Sequence, residues 1–330
     1  MRRHWDISYG ITHRPVAVSG QLWLPKGRAP AGGWPLLVWT HGTVGVADHC
    51  ATSWAGTGKL FPAYIARWLQ AGYAVVSSDY EGLGTPGLHP YLVGATEARN
   101  ALDSARAVIG QTYHIANRVL IDGQSQGGGA AFATAGVAPS YAPELAVLGT
   151  IATGVPYITP KTMAAPPADP NAVDPAIAYM FYVTLVARSL DPSLDTASLF
   201  TARALPVFEK AVSSCIDDLA RGVKAAGLSD ANALRPGAMS RVLKVVMPYY
   251  GYSTLALKQP LFVGTGDADR DVSPLAQTML VHDACAAGTV VERHVYPGKS
   301  HLDAWMASED DAFAFGQAVM HGGKIHSTCP

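Results

Sequence analysis

Gly123-Gln124-Ser125-Gln126-Gly127 has the residue types and spacing of a serine nucleophile held on a tight turn. Before it, Arg118-Val119-Leu120-Ile121-Asp122 is a short apolar run of strand character. After it, Gly128, Gly129, Ala130 and Ala131 are small enough to open a tightly packed helix. A serine between such a strand and helix has its hydroxyl pushed away from the backbone. The flanking glycines permit both the strained turn and the close approach of helix to strand. The backbone N–H of Gln126 would then point to where a substrate oxyanion forms. A plain glycine-rich turn fits the same five residues, so partner groups decide.

Acid and base follow in the order expected of a serine hydrolase, each after a late strand. Pro260-Leu261-Phe262-Val263-Gly264-Thr265 is apolar and leads into Gly266-Asp267-Ala268-Asp269-Arg270-Asp271-Val272. Val290 to Tyr296 alternates like a strand and ends in Pro297-Gly298-Lys299-Ser300-His301. Histidine has the side chain whose ordinary pKa lies nearest neutrality, which suits a general base. Of eleven histidines, His301 stands on the loop after the last strand; His294 lies within that strand and reads as structural. Asp269 is the expected acid, from the Asp269-Arg270-Asp271-Val272 spacing. Asp271 remains an alternative, although it stands just before a helix start at Ser273-Pro274, whose positive end it would simply complement. Asp267 remains one too, although it reads as a turn residue. His41-Gly42-Thr43, after an apolar strand at Trp34 to Trp39, would add a second oxyanion donor, the N–H of Thr43. A tight turn that needs Gly42 is compatible with that role.

Metal chemistry finds no motif. Asp267-x-Asp269-x-Asp271 begins like a calcium loop, but Val272 and Thr278 stand where Gly and Glu are required, and no H-E-x-x-H occurs. No cofactor is expected.

The elements that must position these groups alternate. Val16, Val18, Leu22 and Leu24 read as an N-terminal strand. Lys59 to Gln70 reads as a helix closed by Gly72, and Tyr73 to Ser78 as the next strand. Thr96 could cap a helix with Ala98, Ala101, Leu102, Ala105, Val108 and Ile109 on one face. The strand to Asp122, the serine turn and a strand at Ala146 to Ala152 follow. This is the pattern of an α/β fold with a mostly parallel sheet covered on both faces. It breaks after Gly154. Pro175 to Leu190, Ser198 to Val212 and Ser213 to Ala226 read as helices, and strands resume at Pro260. The expected division is a core of 1–153 and 254–330 with a helical cap at 154–253. An independent helical domain is the disfavoured alternative, because the core resumes afterwards. Trp54, Tyr179, Tyr182, Tyr250 and Tyr252 are the candidate substrate contacts. For most aromatics of the insertion, including Met180-flanked Phe181 and Tyr249, packing is the simpler role.

The 330 residues carry formal net charge −1, from 24 basic and 25 acidic side chains, which gives no reason to propose a nucleic acid or an anionic membrane surface as partner. A chain of this length can bury about 75% of its unfolded surface without staples. No apolar run approaches the ~18 residues of a membrane span. Met1-Arg2-Arg3-His4-Trp5 lacks a following apolar segment and so does not read as a signal peptide; on that basis the protein is cytosolic or the numbering starts on a trimmed chain. Cys50, Cys215, Cys285 and Cys329 form no C-x-x-C pair, and four cysteines allow three pairings between which spacing does not choose.

The chain resembles the α/β-hydrolases, and more narrowly the secretory lipase family. The residues that carry the resemblance are His41-Gly42-Thr43-Val44-Gly45 with Cys50 beyond, Ser78-Asp79-Tyr80-Glu81-Gly82-Leu83-Gly84, Leu102 to Ala107, the Ser125 turn, the Asp269 loop and Pro297 to His301. The resemblance implies ester hydrolysis without a cofactor, a helical cap over the site and secretion or periplasmic export. It also implies one disulfide from Cys50 to the cap at Cys215 and one near the C-terminus, Cys285–Cys329. Four free thiols in a cytosolic enzyme are the alternative. The expected substrates are esters of short- to medium-chain or aromatic (feruloyl-type) acids. A non-catalytic binding protein, or a serine peptidase on the same fold, are the competing readings.

Overall fold

The computed structural model describes residues 1–56, 58, 61–109, 111–163 and 169–329. Six parallel strands form the body of one eight-stranded sheet: β3 (Trp34–Thr40), β4 (Ala74–Ser78), β5 (Ile115–Gln124), β6 (Val147–Thr153), β7 (Leu261–Gly266) and β8 (Val291–Tyr296). Two antiparallel strands, β1 (Arg2–Tyr9) and β2 (Pro15–Trp23), extend one edge, and the order is β1-β2-β4-β3-β5-β6-β7-β8. Sequence periodicity found β2 but not β1. The outward residues Trp5, Ile7 and Tyr9 of β1 are exposed, so the strand lacks the buried face that periodicity detects.

Burial on both faces explains why the parallel strands read as unbroken apolar runs. Along β3, Leu36 and Val38 enter one core while Leu37 and Trp39 enter the other. Val119 and Ile121 of β5 are likewise opposed to Leu120, and Leu261 and Val263 of β7 to Phe262. The first core is closed by α3 (Gly94–Ile109), α4 (Gln126–Tyr141) and α10 (Pro274–Ala286). The second is closed by α2 (Phe61–Gln70) and α12 (Glu309–Met320), which follows α11 (His301–Ala307). Each large apolar side chain so buried contributes about 1.5–3 kcal/mol. Lys59, the expected start of α2, lies outside the described residues. The helix α3 begins before Thr96: the N–H groups of Thr96 and Glu97 both reach Val93 O (2.9 and 3.1 Å), so Val93 closes the first turn.

Between β6 and β7 stand α5 (Ile177–Leu190), α6 (Leu205–Ala211), α7 (Ile216–Ala225), α8 (Asp230–Ala233) and α9 (Ala238–Val246). They surround a separate core in which Phe181, Phe200 and Phe208 make edge and stacked contacts. The long helices expected over 198–212 and 213–226 are each shorter. Phe200 instead forms a β-bridge with Leu234. Cys215, in extended conformation, bridges Gly45 while the N–H of Ile216 donates to Val44 O at 2.9 Å. A disulfide joins Cys50, just before α1 (Thr52–Ala55), to Cys215. A second joins Cys285 of α10 to Cys329, where Thr328 N also donates to Val291 O at 2.7 Å. These close loops of 165 and 44 residues. In the chain-entropy account each contributes roughly 3–5 kcal/mol. The double variant Cys285→Ser/Cys329→Ser should therefore release the C-terminal tail. Timed carboxypeptidase digestion should trim it well before the wild type, and equal trimming would show that the backbone bonds alone hold it.

Several ionisable groups are sealed in this interior. Burial lifts the carboxyl of Asp122, bonded by Tyr64 Oη, to about 7 and that of Glu97 to about 8. Asp6 is lifted to about 7 by burial and then by nearby Asp103. Burial lowers His4 and His41, and holds His89 down at about 3. The raised acids keep protons that the unfolded chain gives up, so they subtract stability as pH rises from the ordinary carboxyl range through 7–8. The histidines act oppositely and only below about pH 6.5, where the unfolded chain binds protons the fold refuses. From pH 6.5 to 8 the acids act alone. Calorimetry should show Tm falling across that window, and less steeply in Asp122→Asn; a level wild-type Tm there would contradict the assignment.

Candidate active site

The turn between β5 and α4 places Ser125 at φ 62°, ψ −127°, a conformation L residues rarely adopt. Ser125 N donates to Thr153 O at 2.9 Å, tying the turn to β6. Two glycines make room. A Cβ on Gly123 would lie 2.1 Å from Gly127 O, and one on Gly127 would lie 1.9 Å from Thr40 O, so strand, turn and helix meet at backbone contact. The loop after β3 closes over the serine from one side: the Cβ that Gly42 lacks would sit 3.6 Å from Ser125 Cβ.

Asp269 follows β7 and His301 opens α11, where the Ser300 side chain accepts from Asp303 N. The two side chains are buried, and His301 Nδ1 donates to Asp269 Oδ2 at 2.7 Å. That bond assigns the proton to Nδ1 and leaves a lone pair on Nε2, which has no partner among the described residues. Asp269 is held from every side: Oδ1 accepts from the N–H groups of Asp271 and Val272, both at 2.9 Å, and Oδ2 also accepts from Gln277 Nε2 at 3.1 Å. Gly154, at φ 59°, passes against the imidazole so closely that a Cβ there would be 2.6 Å from His301 Cε1. Since Thr153 O receives the Ser125 N–H, this contact brings the imidazole to the serine turn.

The other two aspartates have different partners. Asp267 Oδ1 accepts from Gly298 N at 2.6 Å, clasping the two loops together. Asp271 Oδ1 accepts from Tyr179 Oη at 3.3 Å, on the side of the helical insertion. His294 is packed on Phe262 and faces Asp311 and Glu292, away from this group.

Gln126 is the first residue of α4, so its N–H has no intrahelical acceptor and lies at the positive end of the helix dipole. Thr43 Oγ1 pairs with Tyr91 Oη at 2.8 Å, which steadies the facing loop. Ser125 and Gln126 form the floor of a cavity of about 280 Å³, walled by Tyr179, Met180, Val183, Leu243 and Tyr250. A second cavity, of about 410 Å³, lies beyond the loop and is bounded by His41, Gly42, Thr43, Gln124 and Trp305.

Of the five candidate substrate contacts, Tyr179 and Tyr250 line the first cavity. The other three stand elsewhere. Tyr182 is fully buried in the helical core, with Oη donating to Ser214 O at 2.8 Å. Tyr252 packs on Phe132 and donates to Pro156 O at 2.5 Å. Trp54 is 53% exposed under the guanidinium of Arg3 and lines neither cavity. Tyr179 and Tyr182 are one turn apart on α5, and only the helix's rotation decides which faces the cavity and which the core.

Sequence reasoning passed over Gln277, Tyr91, His89 and Glu97. For Glu97 a signal existed: it stands four residues before Ala101, on the stripe that carries Ala101, Ala105 and Val108 to the core. An acidic residue on a buried stripe marks a polar interior.

The secretory lipase family matches residues 59–173. Lipase A of Moesziomyces aphidis is 26% identical over 251 residues, 74% of this chain; the chain spans 53% of that protein's length. Lipase A of Candida antarctica in its closed state superposes with a TM-score of 0.79 at 19% identity, over 99% of this chain and 79% of that one. The rice cell wall degrading esterase LipA of Xanthomonas oryzae superposes at 0.77 and 19% identity, over 98% and 90%. An eight-stranded, mostly parallel sheet, a serine on the β5–α4 turn and this likeness give the chain the α/β-hydrolase fold and a resemblance to the secretory lipases.

Proposed function

We propose that the chain hydrolyses carboxylic esters through an acyl-enzyme. The observation that carries this reading is the buried Asp269–His301 pair, its Nε2 left without a partner and its imidazole packed on Gly154, next to the Thr153 carbonyl that ties the strained Ser125 turn. Ser125 Oγ attacks the ester carbonyl as His301 Nε2 takes its proton. The carbonyl oxygen becomes an oxyanion received by the N–H groups of Gln126 and Thr43. His301 then protonates the departing alcohol. Water, deprotonated by the same imidazole, attacks the acyl carbon and frees the acid and Ser125. Asp269 keeps the imidazole in the needed tautomer and stabilises its cation.

In this reading residues 154–253 are a cap on a core of 1–153 and 254–330. The cap supplies most of the wall of the first cavity, which takes the acyl group. Its volume of about 280 Å³ sits at the lower edge of the ~300–1,000 Å³ usual for small-molecule sites, which favours short- to medium-chain or aromatic acids. The likeness to a cell wall degrading esterase supports including feruloyl esters in the substrate panel. Two disulfides and the secretory family's match support a secreted or periplasmic location.

Ser125→Ala should lower kcat on nitrophenyl esters by about 10³-fold or more while Tm stays near wild type. Asp269→Asn should lose about 10⁴-fold, against less than about tenfold for Asp267→Asn or Asp271→Asn. Equal losses among the aspartates would overturn the acid's assignment. A wild type that takes no fluorophosphonate label would favour the non-catalytic binding protein, and faster turnover of amides than esters would favour the peptidase.

Cap residues should separate by the surface they face. Val183→Trp, filling the first cavity, should shift preference toward shorter acyl chains across a C2–C12 ester series. Tyr182→Ala should lower Tm without changing the profile. The opposite pattern would place the acyl group outside this cavity.

A further inference from the structure

Beneath the oxyanion donor lies a sealed polar cluster that the reaction as described does not use. Glu97 of α3, His89 of the loop after β4 and Gln126 are each 2% exposed or less. His89 Nδ1 donates to Glu81 O at 3.0 Å, so its Nε2 carries a lone pair. Gln126 Nε2 donates to that lone pair at 2.8 Å and to Glu97 Oε1 at 2.7 Å. Both protons of the carboxamide are thus engaged, and turning it over would set its oxygen against the His89 lone pair. Glu97 Oε1 is fixed in turn by Leu92 N at 3.2 Å. The aromatic rings continue the support to the facing loop: His89 stacks on Tyr80, Tyr80 on His41, and Tyr80 Oη donates to His41 O at 3.2 Å.

Resting on the ester hydrolase reading, we propose that Glu97 and His89 are positioning residues that hold the backbone N–H of Gln126 on the oxyanion through its side chain. The residue before Gln126 is strained at φ 62°, so the chain on either side must be anchored for the N–H to keep its aim. The anchor is a buried carboxamide gripped at both protons, attached to the donor residue itself.

Charge state makes this testable apart from packing. The groups that face Glu97 are Tyr80 and Tyr91 from the loop after β4, His89 beside them, Gln126 from α4, and Tyr250 and Tyr252 from the segment before β7. None is cationic at neutral pH: burial holds His89 at about 3 and raises every one of the tyrosines. Glu97, lifted to about 8 by burial, is a neutral acid at pH 7. Above pH 8 it becomes an anion next to the residue that must receive an oxyanion, which opposes the same charge in the transition state.

The experiment compares wild type, Glu97→Gln, Glu97→Leu and Gln126→Ala. It measures kcat and KM on a nitrophenyl ester from pH 6 to 10, the affinity for an alkylboronic acid that forms an anionic tetrahedral adduct on Ser125, and Tm. Wild-type kcat should fall above about pH 8. Glu97→Gln, which keeps an acceptor for Gln126 and cannot ionise, should lack that alkaline limb. Gln126→Ala and Glu97→Leu should lower kcat about tenfold at every pH, with KM within about twofold and boronate affinity reduced by the same factor as kcat. Variants that lower only Tm, or an alkaline limb that persists in Glu97→Gln, would overturn the positioning role. A wild type that neither labels with fluorophosphonate nor hydrolyses any ester would overturn the underlying reading, and the proposal with it.

Discussion

The backbone of Ser125 is held where an L residue does not rest, and much of the surrounding architecture exists to hold it there. A lone residue in this region is disfavoured by about 1–3 kcal/mol. Three contacts make the turn the best choice left to the chain. The Ser125 N–H is fixed to Thr153 O, Gly123 and Gly127 let α4 touch β5 and the loop after β3 at backbone distance, and Gln126 is anchored by its side chain beneath the turn. Each contact draws on a different element, so the turn depends on the whole sheet edge rather than on local sequence. Six parallel strands buried on both faces supply the rigidity, and their C-terminal ends are where such folds gather loops that act.

The loops that carry Asp269 and His301 are joined to each other at three points. Asp267 bonds Gly298, Ala268 N donates to Lys299 O at 3.2 Å, and Asp269 bonds His301. These bonds hold the two loops against each other and fix the imidazole's direction relative to Asp269. The insertion itself is attached by two covalent strands and by the Cys50–Cys215 bridge, whose first cysteine lies just beyond the His41–Thr43 loop. That bridge ties the insertion covalently to the segment beyond the His41–Thr43 loop.

Desolvation sets the charge of the interior. Burial raises the carboxyls of Asp122 and Glu97 and lowers His41 and His89, so each of these four side chains is biased toward its uncharged form. Fixed dipoles without competing charge are the setting in which N–H donors act most strongly on a developing anion. On Asp269 four donors converge: the N–H groups of Asp271 and Val272, Gln277 Nε2 and His301 Nδ1. The two acidic side chains thus have different surroundings: N–H donors converge on Asp269, while Glu97 meets tyrosine rings, the Gln126 carboxamide and the Leu92 N–H.

By itself the sequence determined the elements and the order of the chemistry. Runs such as Leu36 to Trp39 and Leu261 to Val263 could only be buried strands. The glycines around Ser125 required a turn too tight for side chains, and strand-end loops pointed to Asp269 and His301, because all of these are local consequences of residue type. Tertiary structure decided what local pattern does not encode. Asp269 rather than Asp267 or Asp271 meets His301, since backbone direction in the loop, not spacing, aims a carboxylate. Tyr179 and Tyr250 reach the cavity while Tyr182 and Tyr252 bond elsewhere, since packing against residues distant in the chain decides which side chains line it. The edge strand β1 has no buried face to mark it, and Cys215 sets the start of α7 later than the sequence pattern because its disulfide partner lies 165 residues away. Glu97 could be noticed as an acid on an apolar stripe, yet only the packing of α3 against α4 put it under Gln126, because that contact joins residues distant in the chain.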